Sequence, residues 1–293
     1  MDVEILELEI PFKNPSSVYV YLLDSRVLVD AGFCSTSNVE KIAELEPELC
    51  VITHHHIDHV GYAFFSDIPF YLSKTEAELI KIYENPKTFL DWQREVCRRY
   101  GIPESYLKPL EILQMLNLKL KGKIKYAEKL ECLEFIVIPG HSPGHLCILK
   151  DNALFSGDAI LSETTPNLSF YQHFPAGLED YISSLERLKN LEIEVIYPAH
   201  EKRIYDPIDR IEALIDHYKQ RLIEVVEILE KPSSVEEIAR NIKWTVKYEK
   251  LDPFNKYLAN LETLAYLRYL KNRGIVKEIF EGIVKFAIAS KEA

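Results

Sequence analysis

The sequence has little of several features that mark common protein classes, and each shortage excludes something. Cysteine occurs five times, at scattered positions and without a CxxC pair, which argues against a disulfide framework or a cysteine-ligated zinc ribbon. No apolar run reaches 18 residues, so we expect no membrane-spanning helix. The glycine-containing stretch 140–144 lacks the GxxxxGK[ST] spacing of a phosphate-binding loop.

Positive charge is also in short supply. The formal net charge is -11 and the pI is near 5.4, which disfavours a general binder of nucleic acid or of anionic membranes. The acidic start of the chain lacks the basic and apolar segments of a secretory leader, so we expect a cytoplasmic protein. With 293 residues, 47% of them apolar, the chain can form one large or two ordinary domains.

The first two thirds of the chain alternate strand and helix patterns. Residues 17–30 suggest a β-hairpin, residues 37–45 a helix and residues 49–53 a short apolar strand. Helical spacing then runs through a segment of about 73–120, which lies between strands and therefore resembles an insertion. We predict an α/β domain over 1–205 with this helical insertion.

The remaining residues, 206–293, have mainly helical patterns. We predict helices over 208–229, from about 234 and over 253–272, followed by two strands near 275–279 and 282–289. Three helices followed by a two-stranded ribbon is the order of elements in a winged helix. We therefore predict a small C-terminal winged-helix domain.

A dense cluster of imidazoles and a carboxylate carries the chemistry. The segment Thr53–Gly61 reads THHHIDHVG and follows the apolar strand directly. In extended chain, residues two apart face the same way, so His54 and His56 can converge on one ion. Asp58 and His59 follow where the chain turns, and can face a second ion. Imidazole nitrogen and carboxylate oxygen are the usual ligands of catalytic zinc.

Three further candidate ligands follow later apolar strands. His141, Asp158 and His200 each stand at the end of such a strand, and functional groups of α/β proteins gather at strand carboxyl ends. Together with the cluster they make a seven-residue set: His54, His56, Asp58, His59, His141, Asp158 and His200. We expect His55, His173 and His217 to be structural.

This order of elements resembles the metallo-β-lactamase superfamily, whose signature is HxHxDH, then a His, an Asp and a final His. Asp30-Ala31-Gly32 resembles the early Asp-x-Gly turn of the same family. The resemblance implies a four-layer αββα sandwich holding two divalent metal ions, with zinc expected ahead of iron or manganese. It also implies a role for every ligand: His54, His56 and His141 for the first ion, Asp58, His59 and His200 for the second, and Asp158 bridging them.

Two ions about 3.5 to 4 Å apart can deprotonate a shared water, so the resemblance implies a hydrolase that uses a metal-bound hydroxide. We assign Asp58 a second, catalytic role in orienting that nucleophile. We expect Asp30 and His145 to support the ligands from behind.

Three hypotheses for the function remain, and they differ in the substrate or ligand. The Asp58-His59 pair is typical of thioester hydrolases of the glyoxalase II type and of RNA-processing members, so our first hypothesis is a small ester, thioester or lactone. The second is an endoribonuclease, because residues 240–277 hold nine Lys or Arg against three Asp or Glu. The third is a ligand sensor whose winged helix binds DNA. A packing or homodimer-forming C-terminal domain is an equal alternative to nucleic-acid binding.

Overall fold

The computed structural model describes residues 1–12, 15–112, 118–128, 130, 133–174 and 176–289. Two compact units divide the chain, and their segments interleave. The first comprises Met1–Glu84, Leu118–Pro166 and Asp180–Glu212; the second comprises Asn85–Asn117, Asn167–Glu179 and Ala213–Ala293.

The first unit contains a six-stranded and a four-stranded sheet. The larger sheet follows chain order: β1 (Val3–Glu9), β2 (Ser17–Leu23), β3 (Val27–Val29), β4 (Leu49–Val51), β5 (Phe70–Leu72) and β6 (Ile124–Tyr126). The smaller sheet has the order β10-β9-β8-β7: β7 (Glu134–Val137), β8 (Leu146–Lys150), β9 (Ala153–Gly157) and β10 (Val195–Pro198). Both sheets mix parallel and antiparallel pairs.

The two sheets pack on one another through a shared apolar core. Tyr21 and Val51 from the larger sheet are buried in the same cluster as Leu146 and Phe155 from the smaller one. Three helices complete the unit: α1 (Thr36–Ala43), α2 (Lys74–Leu79) and, for its larger part, α5 (Leu178–Leu188). Short 3-10 helices lie at Gly61–Phe64 and Ile80–Tyr83. The predicted α/β class is confirmed.

The second unit gathers helices from three parts of the chain and a small sheet. Its elements are α3 (Pro86–Tyr100), a 3-10 helix (Glu104–Leu107), α4 (Lys108–Glu111), most of α6 (Pro207–Ile228), β11 (Ser233–Ser234), α7 (Val235–Asn241), a 3-10 helix (Tyr248–Lys250), α8 (Pro253–Asn272), β12 (Val276–Glu281) and β13 (Ile283–Ile288). The sheet order is β11-β13-β12, with antiparallel pairs.

The predicted insertion divides between the units. Tyr100 at the end of α3 stacks on Phe286 of β13, with ring centroids 6.2 Å apart. Gly101 follows with φ +70, a backbone conformation that favours glycine, and the position of a Cβ there would lie 2.5 Å from the side chain of Ile283. Residues 85–117 thus belong with the C-terminal elements, whereas α2 belongs to the first unit. The boundary near residue 205, as a statement of which parts fold alone, stays a prediction.

Individual elements differ from their predicted extents. Near the end of the predicted helical segment of about 73–120, the chain forms a 3-10 helix and the short α4 in place of a longer helix, and residues 113–117 lie outside the described part of the chain. The three-residue strand β5 was not predicted, because so short an apolar stretch carries no clear periodicity. Among the described residues, no helix has the length and apolarity needed to cross a membrane.

Candidate metal centre

The seven predicted ligand residues converge in the first unit. Each follows a strand: His54 to His59 come after β4, His141 after β7, Asp158 after β9 and His200 after β10. Three groups of potential ligands result, each with its ligand atoms within 4.8 Å of one another: His54, His56 and His141; His54, His59 and Asp158; Asp58, His59 and His200. The structure therefore brings all seven together.

Three imidazoles form the first group. His54 Nε2 lies 3.0 Å from His56 Nδ1, and His141 Nε2 lies 3.2 Å and 3.0 Å from those same two atoms. One proton cannot satisfy three nitrogens that all face one point, whereas a single cation can accept a lone pair from each.

Asp158 lies between this first group and the group of Asp58, His59 and His200, which is called the second group below. Its Oδ2 is 3.6 Å from His141 Nε2, while its Oδ1 is 3.6 Å from His59 Nε2 and 3.5 Å from His200 Nε2. Asp58 closes the second group, with its oxygens 3.9 Å from His59 Nε2 and 3.5 Å from His200 Nε2. A carboxylate with one oxygen towards each group has the geometry of a bridging ligand.

On three of the histidines, the ring nitrogen that faces away from the cluster makes a hydrogen bond to another group. His59 Nδ1 donates to Asp30 Oδ2 at 2.9 Å, and His200 Nδ1 donates to the Ser17 carbonyl at 2.7 Å. His54 Nδ1 lies 3.0 Å from Thr53 Oγ1, which itself donates to Asp30. Because the remote nitrogen is the one engaged as a donor, Nε2 is the nitrogen left on each ring to bind a cation.

The early Asp30–Gly32 turn is bound to the histidine loop through the backbone. Ala31 N donates to the His59 carbonyl at 2.8 Å, and Gly61 N donates to the Gly32 carbonyl at 2.6 Å. Asp30 has φ +61, an uncommon conformation that points its carboxylate at Thr53 and His59. These contacts explain how an early turn supports ligands that follow much later in the chain.

His145 supports the cluster from another side. Its ring stacks on His54, with centroids 4.9 Å apart, and its Nε2 accepts a hydrogen bond from Asp158 N at 3.2 Å. Burial, with the nearby His141 adding to it, lowers the pKa of His145 to about 3. A neutral His145 therefore accepts a hydrogen bond from the Asp158 backbone, and its supporting role stays a prediction.

The charges of the cluster suit a cation. Burial, together with the neighbouring imidazoles, lowers the pKa of His54 and of His56, so both stay neutral. Burial opposes ionisation of Asp158, but His200 and His59 outweigh it and lower its pKa. Burial likewise lowers the pKa of His59, but Asp158, Asp30 and Asp58 raise it well above its usual value. The concentrated negative charge thus attracts positive charge.

Unsatisfied atoms provide the test of whether metal ions fit these residues. Among the described residues, His59 Nε2 and Asp158 Oδ1 are buried without a hydrogen-bond partner. They face each other at 3.6 Å, too far for a hydrogen bond. Leaving two such groups unpaired is costly, and an ion between them would satisfy both. The donor set of imidazoles and carboxylates therefore fits divalent metal ions.

Two carboxylates beside the cluster were not predicted. Glu76 of α2 is fully buried and hydrogen-bonds His55, which we expected to be structural. Glu201 follows His200 with φ +69, and its carboxylate accepts from Ser162 and Thr164 of the loop after Asp158. Neither belongs to a spaced motif, so the sequence held no signal for either.

A model of the metallo-beta-lactamase superfamily matches residues 13–67 and 125–200, which contain all seven clustered residues. The chain belongs to the metallo-beta-lactamase superfamily. It is therefore a hydrolase with a metal-binding site. Residues 68–124 lie outside the match.

Superfamily relatives resemble the chain over most of its length. The probable metallo-hydrolase YqjP of Bacillus subtilis is 27% identical, over 96% of each chain, and a beta-lactamase-like protein 2 homolog of Drosophila melanogaster is 26% identical, over 88% of each. A metallo-beta-lactamase family protein of Thermus thermophilus has a crystal structure that superposes with a TM-score of 0.83, at 25% identity and 98% coverage of both chains. A beta-lactamase domain protein from Burkholderia ambifaria shares the fold, with a TM-score of 0.79 at 21% identity, over 98% of this chain and 92% of that one.

Proposed function

We propose that this superfamily member is a binuclear metal-dependent hydrolase of a small ester, thioester or lactone. The observation that carries the proposal is the position of Asp158, with one carboxylate oxygen towards each group of ligands. His54, His56 and His141 would hold one ion, and Asp58, His59 and His200 the other. When bound, such ions polarise the substrate oxygen and lower the pKa of water to near neutrality.

The protein's own residues determine access to the centre. His54 and His59 are fully buried, whereas His56 and Asp58 are partly exposed. Substrate would therefore approach beside Asp58, whose carboxylate can accept a proton from the attacking water and orient it. His145 and Asp30 hold the ligands still on the buried side.

The charge distribution supports a small substrate over RNA. Several basic residues of 240–277 pair within the second unit: Arg240 with Glu236, Lys271 with Glu278 and Arg273 with Glu179. Paired cations attract phosphates weakly. The basic excess still makes an endoribonuclease the second candidate. We further propose that α6, β11, α7, α8, β12 and β13 form a winged helix, since their order and the β11-β13-β12 sheet fit one.

A hydrolysis panel tests the proposal. Purified protein of known metal content is offered esters, thioesters, lactones, phosphodiesters and a structured RNA, with and without chelator. We expect turnover of a small ester, thioester or lactone, lost on chelation and in Asp158→Ala because the two groups would then lack their shared ligand.

The matched control is Asp67→Ala, an exposed aspartate of the same unit, which should retain the wild-type rate. Cleavage of RNA alone would replace the leading proposal with the second candidate. Full activity in Asp158→Ala would contradict both.

A further inference from the structure

Glu76 is a buried carboxylate beneath the ligand loops that no step of the proposed reaction uses. It lies on α2, at the end of the first unit's first segment, and is 0% exposed. A carboxylate so buried is stable only if its oxygens are fully hydrogen-bonded. Its partners therefore show what it is for.

Each oxygen of Glu76 accepts two hydrogen bonds from one loop. Oε2 accepts from His55 N at 2.9 Å and from His55 Nδ1 at 2.7 Å. Oε1 accepts from Ser142 Oγ at 2.7 Å and from Gly144 N at 2.8 Å. One carboxylate thus connects two loops that are far apart in the sequence.

These two loops together supply all three ligands of the first group. Each of the other groups needs a residue from elsewhere in the chain. His55 lies between His54 and His56, and Ser142 follows His141, so Glu76 contacts the neighbours of all three ligands in the first group. The second group has different supports, because Asp30 holds His59 and the Ser17 carbonyl holds His200. The connection made by Glu76 is therefore specific to the first group.

Glu76 is itself held firmly. Ser73 caps α2 by accepting from Glu76 N at 3.2 Å, and its hydroxyl donates to the Gly144 carbonyl at 2.7 Å. A Cβ on Gly144 would meet Ser73 Oγ at 2.5 Å, so helix and loop are in direct contact. Tyr83 Oη donates to the His55 carbonyl at 2.8 Å. Hydrogen bonds thus connect the helix, the two loops and the carboxylate to one another.

We propose that Glu76 is a positioning residue that sets the affinity of the ion held by His54, His56 and His141, while leaving the second ion's affinity unchanged. The inference rests on the proposed function only in that an ion binds this group. Glu76 acts through geometry: its oxygens fix where the two loops stand, and so fix the separation of the three ligand nitrogens.

Glu76→Gln is the direct test, because the amide keeps the size of the side chain and one acceptor oxygen. The NH2 group of glutamine would face either the donors of His55 or the donors of Ser142 and Gly144. In both cases the donors of one loop lose their acceptor. Stepwise Co²⁺ titration, followed by visible absorption and checked by competition with a chromophoric chelator, gives the affinity of each ion. Glu78→Gln, an exposed glutamate on the same helix, is the matched control.

We expect Glu76→Gln to weaken one of the two ions about 10- to 100-fold, the range usual for partners of metal ligands, and to leave the other unchanged. The control should match the wild type. Two unchanged affinities, or an equal loss of both accompanied by a lower melting temperature, would overturn the inference and leave a purely structural carboxylate. If Glu76→Gln fails to fold, Ser142→Ala, which removes one of the four bonds, should weaken the same ion.

The outcomes separate this inference from the proposed function. A wild type that binds two ions but hydrolyses no small ester contradicts the proposed substrate and leaves the role of Glu76 to the affinity comparison. A wild type that binds two ions and hydrolyses esters, with Glu76→Gln unchanged in both, contradicts the inference alone. A wild type that binds no ion contradicts both.

Discussion

Single carboxylates connect loops around this centre. Asp30 joins Thr53 to His59, Glu76 joins His55 to Ser142, and Glu201 joins the loop after β10 to the loop after β9. Each places a ligand-bearing backbone through hydrogen bonds to a charged acceptor, which are stronger than those to neutral groups. Precision at the metal centre therefore depends on residues that are not ligands.

Gly61 provides a prediction about one of these backbone contacts. A Cβ at this position would meet Cys34 N and Phe33 C at 2.4 Å and Gly32 O at 2.6 Å. Backbone atoms cannot move aside as a flexible side chain can, so we expect Gly61→Ala to lower the free energy of unfolding by about 3 kcal/mol. Urea denaturation measures the change.

Gly177→Ala is the control for this substitution, because a Cβ there would meet no atom of the described residues within 4 Å. It should stay close to the wild type. Equal stability of the two variants would mean that, in solution, the backbone after Asp30 does not pack closely against Gly61.

At the scale of elements, sequence patterns located most helices and strands of the chain. The prediction for α8 matches the observed Pro253–Asn272, since a capping Asp252, a following proline and a terminal glycine mark its ends. The seven clustered residues were also predictable, because HxHxDH and three strand ends are local signals. Glu76 and Glu201 were not, because their partners lie far away in the sequence and no spacing rule connects them.

The N-terminus of α7 provides a prediction at this scale. Ser234 accepts from Glu237 N, and the Glu237 carboxylate accepts in return from Ser234 N at 2.7 Å, which is a capping box. We expect Ser234→Ala to reduce the free energy of unfolding by about 1 kcal/mol, because a helix-terminal N–H loses its partner. Thermal unfolding measures the loss.

Ser234→Thr serves as the comparison, since it keeps the capping hydroxyl. A cap that contributes as described should leave this variant near the wild type. Equal losses in both variants would indicate that packing around Ser234, and not its hydroxyl, stabilises the helix.

The whole molecule should respond to pH through one buried acid of the second unit. Glu262 is held among Tyr266, Asn167 and Arg221, and burial raises its pKa to about 7, although its hydrogen bonds and Arg221 oppose the shift. Between pH 4.5 and about 7 the folded protein keeps a proton that the unfolded chain has lost. The contribution of Glu262 to the free energy of unfolding should therefore fall as pH rises through this window, on the order of 3 kcal/mol in total.

Glu262→Gln tests this prediction, because glutamine does not titrate. Its stability relative to the wild type should increase from pH 4.5 to about 7 and then level off, as urea denaturation at several pH values would show. The exposed Glu227→Gln on α6 should give a difference that does not vary with pH. A flat difference for Glu262→Gln would show that its carboxyl is already ionised throughout the window.

The order of the ligands along the chain also constrains how the centre is made during synthesis. His54, His56 and His141 can come together once the ribosome has released residue 141 and the strands around it. Asp58 and His59 must wait for His200, which follows β10. A nascent chain can therefore assemble the first group about 60 residues before the second.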